Sequence, residues 1–167
     1  VNMPGFIPFR GTRSMKLTDH LTPNLVKIPL IATDKTAAIT ELIDLLDSAG
    51  MLAARDPLLQ SVLTRENQRS TGIGRGFAIP HPKSDSVDKL VVALGRTAQP
   101  IEFKAIDGKP VSLIALLASP ISATSMHIQA LAKLSRLVTN ASILDKILTA
   151  PTAAELYQVI TENDSES

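Results

Sequence analysis

The chain has 167 residues, of which 44% are hydrophobic, 20% charged and only 3% aromatic, with no tryptophan and no cysteine. That length fits one domain with a core of Leu, Ile, Val and Ala, and the lack of cysteine excludes disulfides and thiolate catalysis. A net charge of +1 excludes a general electrostatic grip on nucleic acid or anionic lipid, and the longest apolar run, "LIALLAS", is far too short to span a bilayer.

Residues 1–14, "VNMPGFIPFRGTRS", carry two Pro and two Gly without any helical or strand period. They lack the apolar core of a signal peptide and are expected to form a loosely ordered arm, with Met15 as an alternative natural start. "LVKIPL" (25–30) alternates like a half-buried strand. Residues 33–50 have the marks of a helix: a Thr33/Asp34 cap, Ile39, Leu42, Ile43 and Leu46 on one face, and Gly50 as terminator. A second helix is expected to start at Asp56-Pro57, with Leu59, Val62 and Leu63 turned inward, and to run out near 65–68.

"KLVVALGR" (89–96) and "VSLIALLA" (111–118) read as strands covered on both faces, with Asp107-Gly108 as a turn after "IEF". A helical period returns from about 124 to 139, placing His127, Leu131, Leu134 and Val138 on one stripe. Shorter helices follow at 141–149 and 152–162, the last with Thr152 and Glu155 at capping-box spacing. Strands interleaved with helices give the fold class: an α/β single domain over residues 15–162, a sheet flanked by helices on both faces. Residues 163–167 are expected to be a frayed tail.

Chemistry concentrates in "TGIGRGFAIPHPK" (71–83). Proline on either side of His81 fixes φ at 80 and 82 and biases the histidine toward extended geometry. Gly72, Gly74 and Gly76 permit positive φ, so their amides are candidates for pointing at an anion. The pattern is neither a nucleotide-hydrolase phosphate loop nor a dinucleotide fingerprint, and a structural histidine turn is the alternative. His127 falls in the first turn of a helix that follows a central strand, where the dipole favours a neutral imidazole; a satisfied core histidine is the alternative. Arg65 ends the helix before the glycines, and its planar guanidinium suits a phosphoryl group, although many such arginines are simply solvated. His20 reads as a surface residue. The chain has no G-x-S-x-G elbow and no zinc spacing, which disfavours serine hydrolysis and metal catalysis. Phosphoryl transfer to histidine needs a bare imidazole nitrogen, open access and groups that offset charge, and His81, His127, Arg65 and the glycine amides supply these without a metal or cofactor.

Four ordered segments, "LTREN…STGIGRGFAIPHPK", "IEFKAIDGKPVSLIALLASP", "HIQALAKLSRLV" and "AAELYQVIT", resemble the enzyme IIA family of the bacterial phosphoenolpyruvate-dependent phosphotransferase system, mannitol/fructose type. The resemblance implies a mixed sheet flanked by helices. It also implies that His81 accepts phosphate from the phosphohistidine of an HPr-like carrier protein, that His127 supports the phosphoryl group and that Arg65 lies nearby. Thr71, Gly74 and Gly76 are taken as the phosphate-binding groups, and Ile73 and Phe77 as rim contacts for partners or, alternatively, core residues. Pro82 departs from relatives, which commonly carry Gly or Ala there; narrowed access to His81 and altered docking are both open.

No cofactor, metal, nucleic acid or membrane insertion is expected, and the location expected is the cytoplasm. Without a cysteine or room for a IIB domain, any such acceptor is expected to be a separate protein. The likeness leans toward the nitrogen-regulatory branch, whose output is altered binding to potassium-transport and sensor-kinase partners. The alternatives are a fructose/mannitol transport component passing phosphate to a separate IIB protein, a regulatory module of the same fold that carries no phosphate, and a metal-dependent hydrolase.

Overall fold

The computed structural model describes residues 15–164, so the arm expected at 1–14 and residues 165–167 lie outside the described part. "LVKIPL" forms strand β1, Val26–Leu30. Helix α1, Lys35–Ser48, opens where the Asp34 carboxylate accepts the Ala37 N–H at 2.8 Å, satisfying one of the donors that every helix start leaves free. Its stripe of Ile39, Leu42, Ile43 and Leu46 is fully buried. Gly50, at φ +73°, then turns the chain out of the helix.

Helix α2, Arg55–Gln68, differs from expectation in two ways. Asp56 is not its cap: Ala54 holds that position without a side-chain bond, and Asp56 instead accepts from the Arg55 guanidinium at 2.6 Å. The buried face also runs through Leu58, Val62 and Glu66, while Leu59 and Leu63 are only partly covered. These three stand four residues apart, as one helical face requires, and a stripe fitted to apolar residues alone passes over the one that ends in a carboxylate.

The glycine stretch, whose amides are the candidates for facing an anion, folds as a small antiparallel hairpin. Strand β2 is Gly72–Gly74 and strand β3 is Phe77–Ala78, joined through positive φ at Gly74, Arg75 and Gly76. Strand β4, Val91–Ile101, runs past its expected end, with a register shift after Arg96. Strand β5 is Val111–Ala118, as expected.

The sheet order is β1-β4-β5-β3-β2, with β1 parallel to β4 and β3 parallel to β5, and the other neighbours antiparallel. It is therefore a mixed sheet. Consecutive residues of β4 and β5 point to opposite faces, and Val91–Leu94 and Leu113–Ala118 are buried without interruption; helices therefore cover both faces.

Three helices complete the chain: α3, Thr124–Thr139; α4, Ala141–Thr149; and α5, Ala153–Glu162. Asn140 caps α4 and the Thr152 hydroxyl accepts from the Glu155 N–H, opening α5. The α3 stripe is wider than expected: Ala130, Lys133 and Leu137 are buried beside His127, Leu134 and Val138, whereas Leu131 is half exposed.

Two surface expectations are corrected. His20 is half-buried, and its Nδ1–H donates to the Leu90 carbonyl at 3.1 Å, just before β4. The chain end is also anchored through residue 164: the Asp164 carboxylate accepts the Leu17 and Thr18 N–H groups and the Thr18 hydroxyl, each at 2.9 Å, with Lys133 Nζ 3.7 Å away. A polar tail composition gives no hint of such a clasp.

Candidate functional site

His81 lies on an extended segment that leaves β3 and continues beside β5. Ile79 N–H donates to Thr71, while the Pro80 and Pro82 carbonyls accept the Leu117 and Ser119 N–H groups at 2.9 and 3.2 Å. Prolines suit these positions because the segment needs acceptors there, and the lost donors cost no bond to β5. The His81 ring is half-buried and reaches an open cleft of about 820 Å³, so the buried Pro82 beside it does not seal the ring.

One contact fixes the His81 tautomer. Nδ1 lies 2.6 Å from the Ile79 carbonyl, and because a carbonyl can only accept, Nδ1 carries the proton. In the neutral ring Nε2 then holds a bare lone pair. That nitrogen faces Arg65 Nη2 at 3.3 Å.

Arg65 reaches it from α2, whose adjacent residue points inward. The buried Glu66 carboxylate accepts both the Thr71 N–H, at 2.7 Å, and the Thr71 hydroxyl, with Lys35 Nζ at 3.8 Å. Thr71 in turn holds Ile79, the residue on which the His81 ring rests. The helix bearing the guanidinium and the segment bearing the imidazole are thus joined through Glu66.

His127 comes from the first turn of α3 and is 5% exposed. Its ring centroid is 5.7 Å from that of His81, with the planes tilted by 47°. Nδ1 is 2.6 Å from the Ser119 hydroxyl. Burial is the main influence holding its pKa down to about 4 from the ordinary 6.5, followed by electrostatic repulsion from His81, Lys83 and Arg65, which disfavours a second cation in the recess. His127 is therefore a neutral imidazole beside an open one. Lys83 borders the same cleft and donates from Nζ to Thr124 Oγ1 at 3.3 Å.

The structure therefore brings Arg65, His81 and His127 together. It leaves Thr71 beside Arg65 and His81 but draws Gly74 and Gly76, the other expected phosphate-binding groups, into the hairpin turn. Both donors of Thr71 are committed to Glu66, although the residue borders a second cleft beside His81. Gly74 and Gly76 line neither cleft; they make the hairpin turn, against Asp107 and the backbone of Pro110 and Ser112. Their positive φ serves chain reversal between β2 and β3. Of the expected rim residues, Phe77 is core at 1% exposure, whereas Ile73 is 44% exposed.

Lys83, Ser119 and Glu66 escape the sequence reading. A signal existed for Lys83, since side chains two apart on an extended segment share a face and Lys83 stands two after His81. Ser119 and Glu66 carry no such local mark.

Among the described residues no three His, Cys, Asp or Glu side chains cluster, and the cleft sets its two imidazoles among cations rather than carboxylates. Such a donor set suits an anion and repels a metal ion. Nor is any described helix long and apolar enough to cross a membrane. The fold and cleft define a class: an α/β domain that presents paired histidines in a cationic recess.

Comparison with known proteins narrows the class. The family description "Phosphoenolpyruvate-dependent sugar phosphotransferase system, EIIA 2" matches residues 19–163. The chain is 35% identical over 150 residues to the fructose-specific EIIABC component of Bacillus subtilis, covering 90% of this chain but 24% of that longer protein. It is 36% identical over 151 residues to the fructose-specific EIIA component of Haloferax volcanii, covering 89% and 98% of the two chains. The crystal structure of the nitrogen regulatory protein IIA-Ntr from Neisseria meningitidis superposes with a TM-score of 0.80 at 31% identity, over 86% of this chain and 98% of that one. The chain belongs to the EIIA type-2 family of the phosphotransferase system.

Proposed function

We propose that the protein is a phosphocarrier that holds a phosphoryl group on His81 Nε2. The observation that carries this reading is the bare Nε2, which faces Arg65 at 3.3 Å in an open cleft while Nδ1–H is tied to Ile79. The Nε2 lone pair forms the new P–N bond as the donor's P–N bond breaks, and the donor imidazole keeps the bonding pair. No proton has to leave His81 first. Arg65 and Lys83 offset charge on the phosphoryl oxygens, while His127 supplies a neutral polar neighbour.

The donor is a phosphohistidine on an HPr-like carrier protein, as family membership suggests, and the setting is the cytoplasm. Similarity to a nitrogen regulatory protein supports a regulatory output, read by target proteins that distinguish the two phosphorylation states. Similarity to fructose-specific components supports the alternative, passage to a separate IIB protein.

Incubation with the phosphorylated carrier protein and labelled phosphoenolpyruvate tests the reading. Acid-labile, base-stable label is expected in the wild type and none in His81→Ala. An unlabelled wild type refutes the proposal and leaves a binding module of the same fold.

A further inference from the structure

One fully buried hydroxyl touches this site without an assigned role. Ser119 is the first residue after β5, at 0% exposure, and its Oγ lies 2.6 Å from His127 Nδ1. Its backbone is held by the segment that carries His81: its N–H donates to Pro82 at 3.2 Å and its carbonyl accepts from Ser84 at 2.8 Å. A single residue therefore registers both rings.

We propose that Ser119 is a positioning residue that donates its hydroxyl proton to His127 Nδ1, locking His127 as the Nε2–H tautomer and making it an uncharged donor to a phosphoryl group on His81. The use of that tautomer rests on the phosphocarrier reading above; the tautomer itself rests on hydrogen-bond supply.

A serine hydroxyl has one proton to give. Among the described residues the Ser119 hydroxyl has no hydrogen-bond partner except His127 Nδ1. If the ring donated instead, the hydroxyl proton would be buried without an acceptor, the costlier arrangement. A bare Nε2 would also be the nitrogen left for the cleft, with its lone pair toward an anion. With Ser119 donating, every group is used and the ring's one proton sits where negative charge arrives. Burial keeps the ring neutral, so it has only one proton to place.

Long-range proton–nitrogen NMR on the histidine-labelled wild type at pH 7 reads the tautomer directly. A bare Nδ1 and a protonated Nε2 are expected for His127; a protonated Nδ1 overturns the proposal, whatever the variants do. Ser119→Ala is expected to mix the tautomers and slow phosphoryl uptake about tenfold, with Ser119→Thr restoring both. In a His127→Ala background Ser119→Ala is expected to change the rate by less than about twofold, because its effect runs through that ring. Full additivity of the two losses overturns the proposal. The readouts also separate the two hypotheses. An Nε2–H ring in a wild type that takes no label upholds the Ser119 assignment and sinks the carrier reading; the reverse pattern does the opposite.

Discussion

Acidification should weaken the wild type more than a His127→Gln variant, and the structure sets the scale. In the unfolded chain His127 titrates near the ordinary 6.5, whereas in the fold burial and nearby cations hold it down to about 4. Above pH 6.5 both states are neutral and the residue contributes no pH dependence. Below 6.5 the unfolded chain takes up a proton that the folded chain refuses, so stability falls as pH falls, until the folded pKa is reached. Between pH 6.5 and 4.5 this linkage amounts to about 2 to 3 kcal/mol, at about 1.4 kcal/mol for each pH unit. Gln cannot titrate but keeps a polar group for Ser119, and the acidic residues shared by both proteins cancel in the comparison. Urea denaturation of each protein at pH 7 and pH 4.5, followed by far-UV circular dichroism, gives the four free energies. The wild type should lose about 2 kcal/mol more than the variant. Equal losses, or an NMR titration that places His127 near 6.5 in the folded protein, would refute the reasoning.

Two other substitutions probe the scaffold and the charge. Glu66→Ala leaves the buried N–H and hydroxyl of Thr71 without their acceptor and removes the carboxylate near Lys35, so a loss of about 2 to 4 kcal/mol is expected in urea denaturation. Arg65→Ala is expected to slow phosphoryl uptake about ten- to hundredfold in a labelled-transfer assay, with Arg65→Lys recovering part of the rate because it keeps charge but loses the planar fork.

How far the sequence reveals this molecule depends on whether a feature is local. β5 and the core of β4 are legible because apolar residues fill consecutive positions, which only a strand covered on both faces tolerates. α1 and α5 are legible through their Asp34 and Thr152 caps, and α4 is legible as a short helix although its Asn140 cap escapes notice. Where polar residues go inside, apolar periodicity is silent: the α2 face ends in Glu66, and Asp164 is clasped although its polar surroundings read as loose. The glycines are ambiguous for another reason. Positive φ serves a hairpin turn as well as an anion loop, and only the pairing of β2 with β3 decides between them.

The site divides along the same line. Residue type marked His81, His127 and Arg65, yet their meeting depends on β3 pairing parallel with β5, in the register Phe77 to Leu113, which carries His81 alongside the end of the strand that leads to α3. No local pattern encodes a pairing across that distance. Ser119 stayed hidden because its part is set by one contact with a ring eight residues on.

The Asp164 clasp also bears on how the chain is threaded. With that side chain gripping residues 17 and 18, the two ends of the described region nearly touch, while the residues lining the His81 cleft all fall between 57 and 131. A polypeptide spliced head to tail across the clasp and reopened at the uncrowded turn of Gly108 would present the same recess from elements written in a new order.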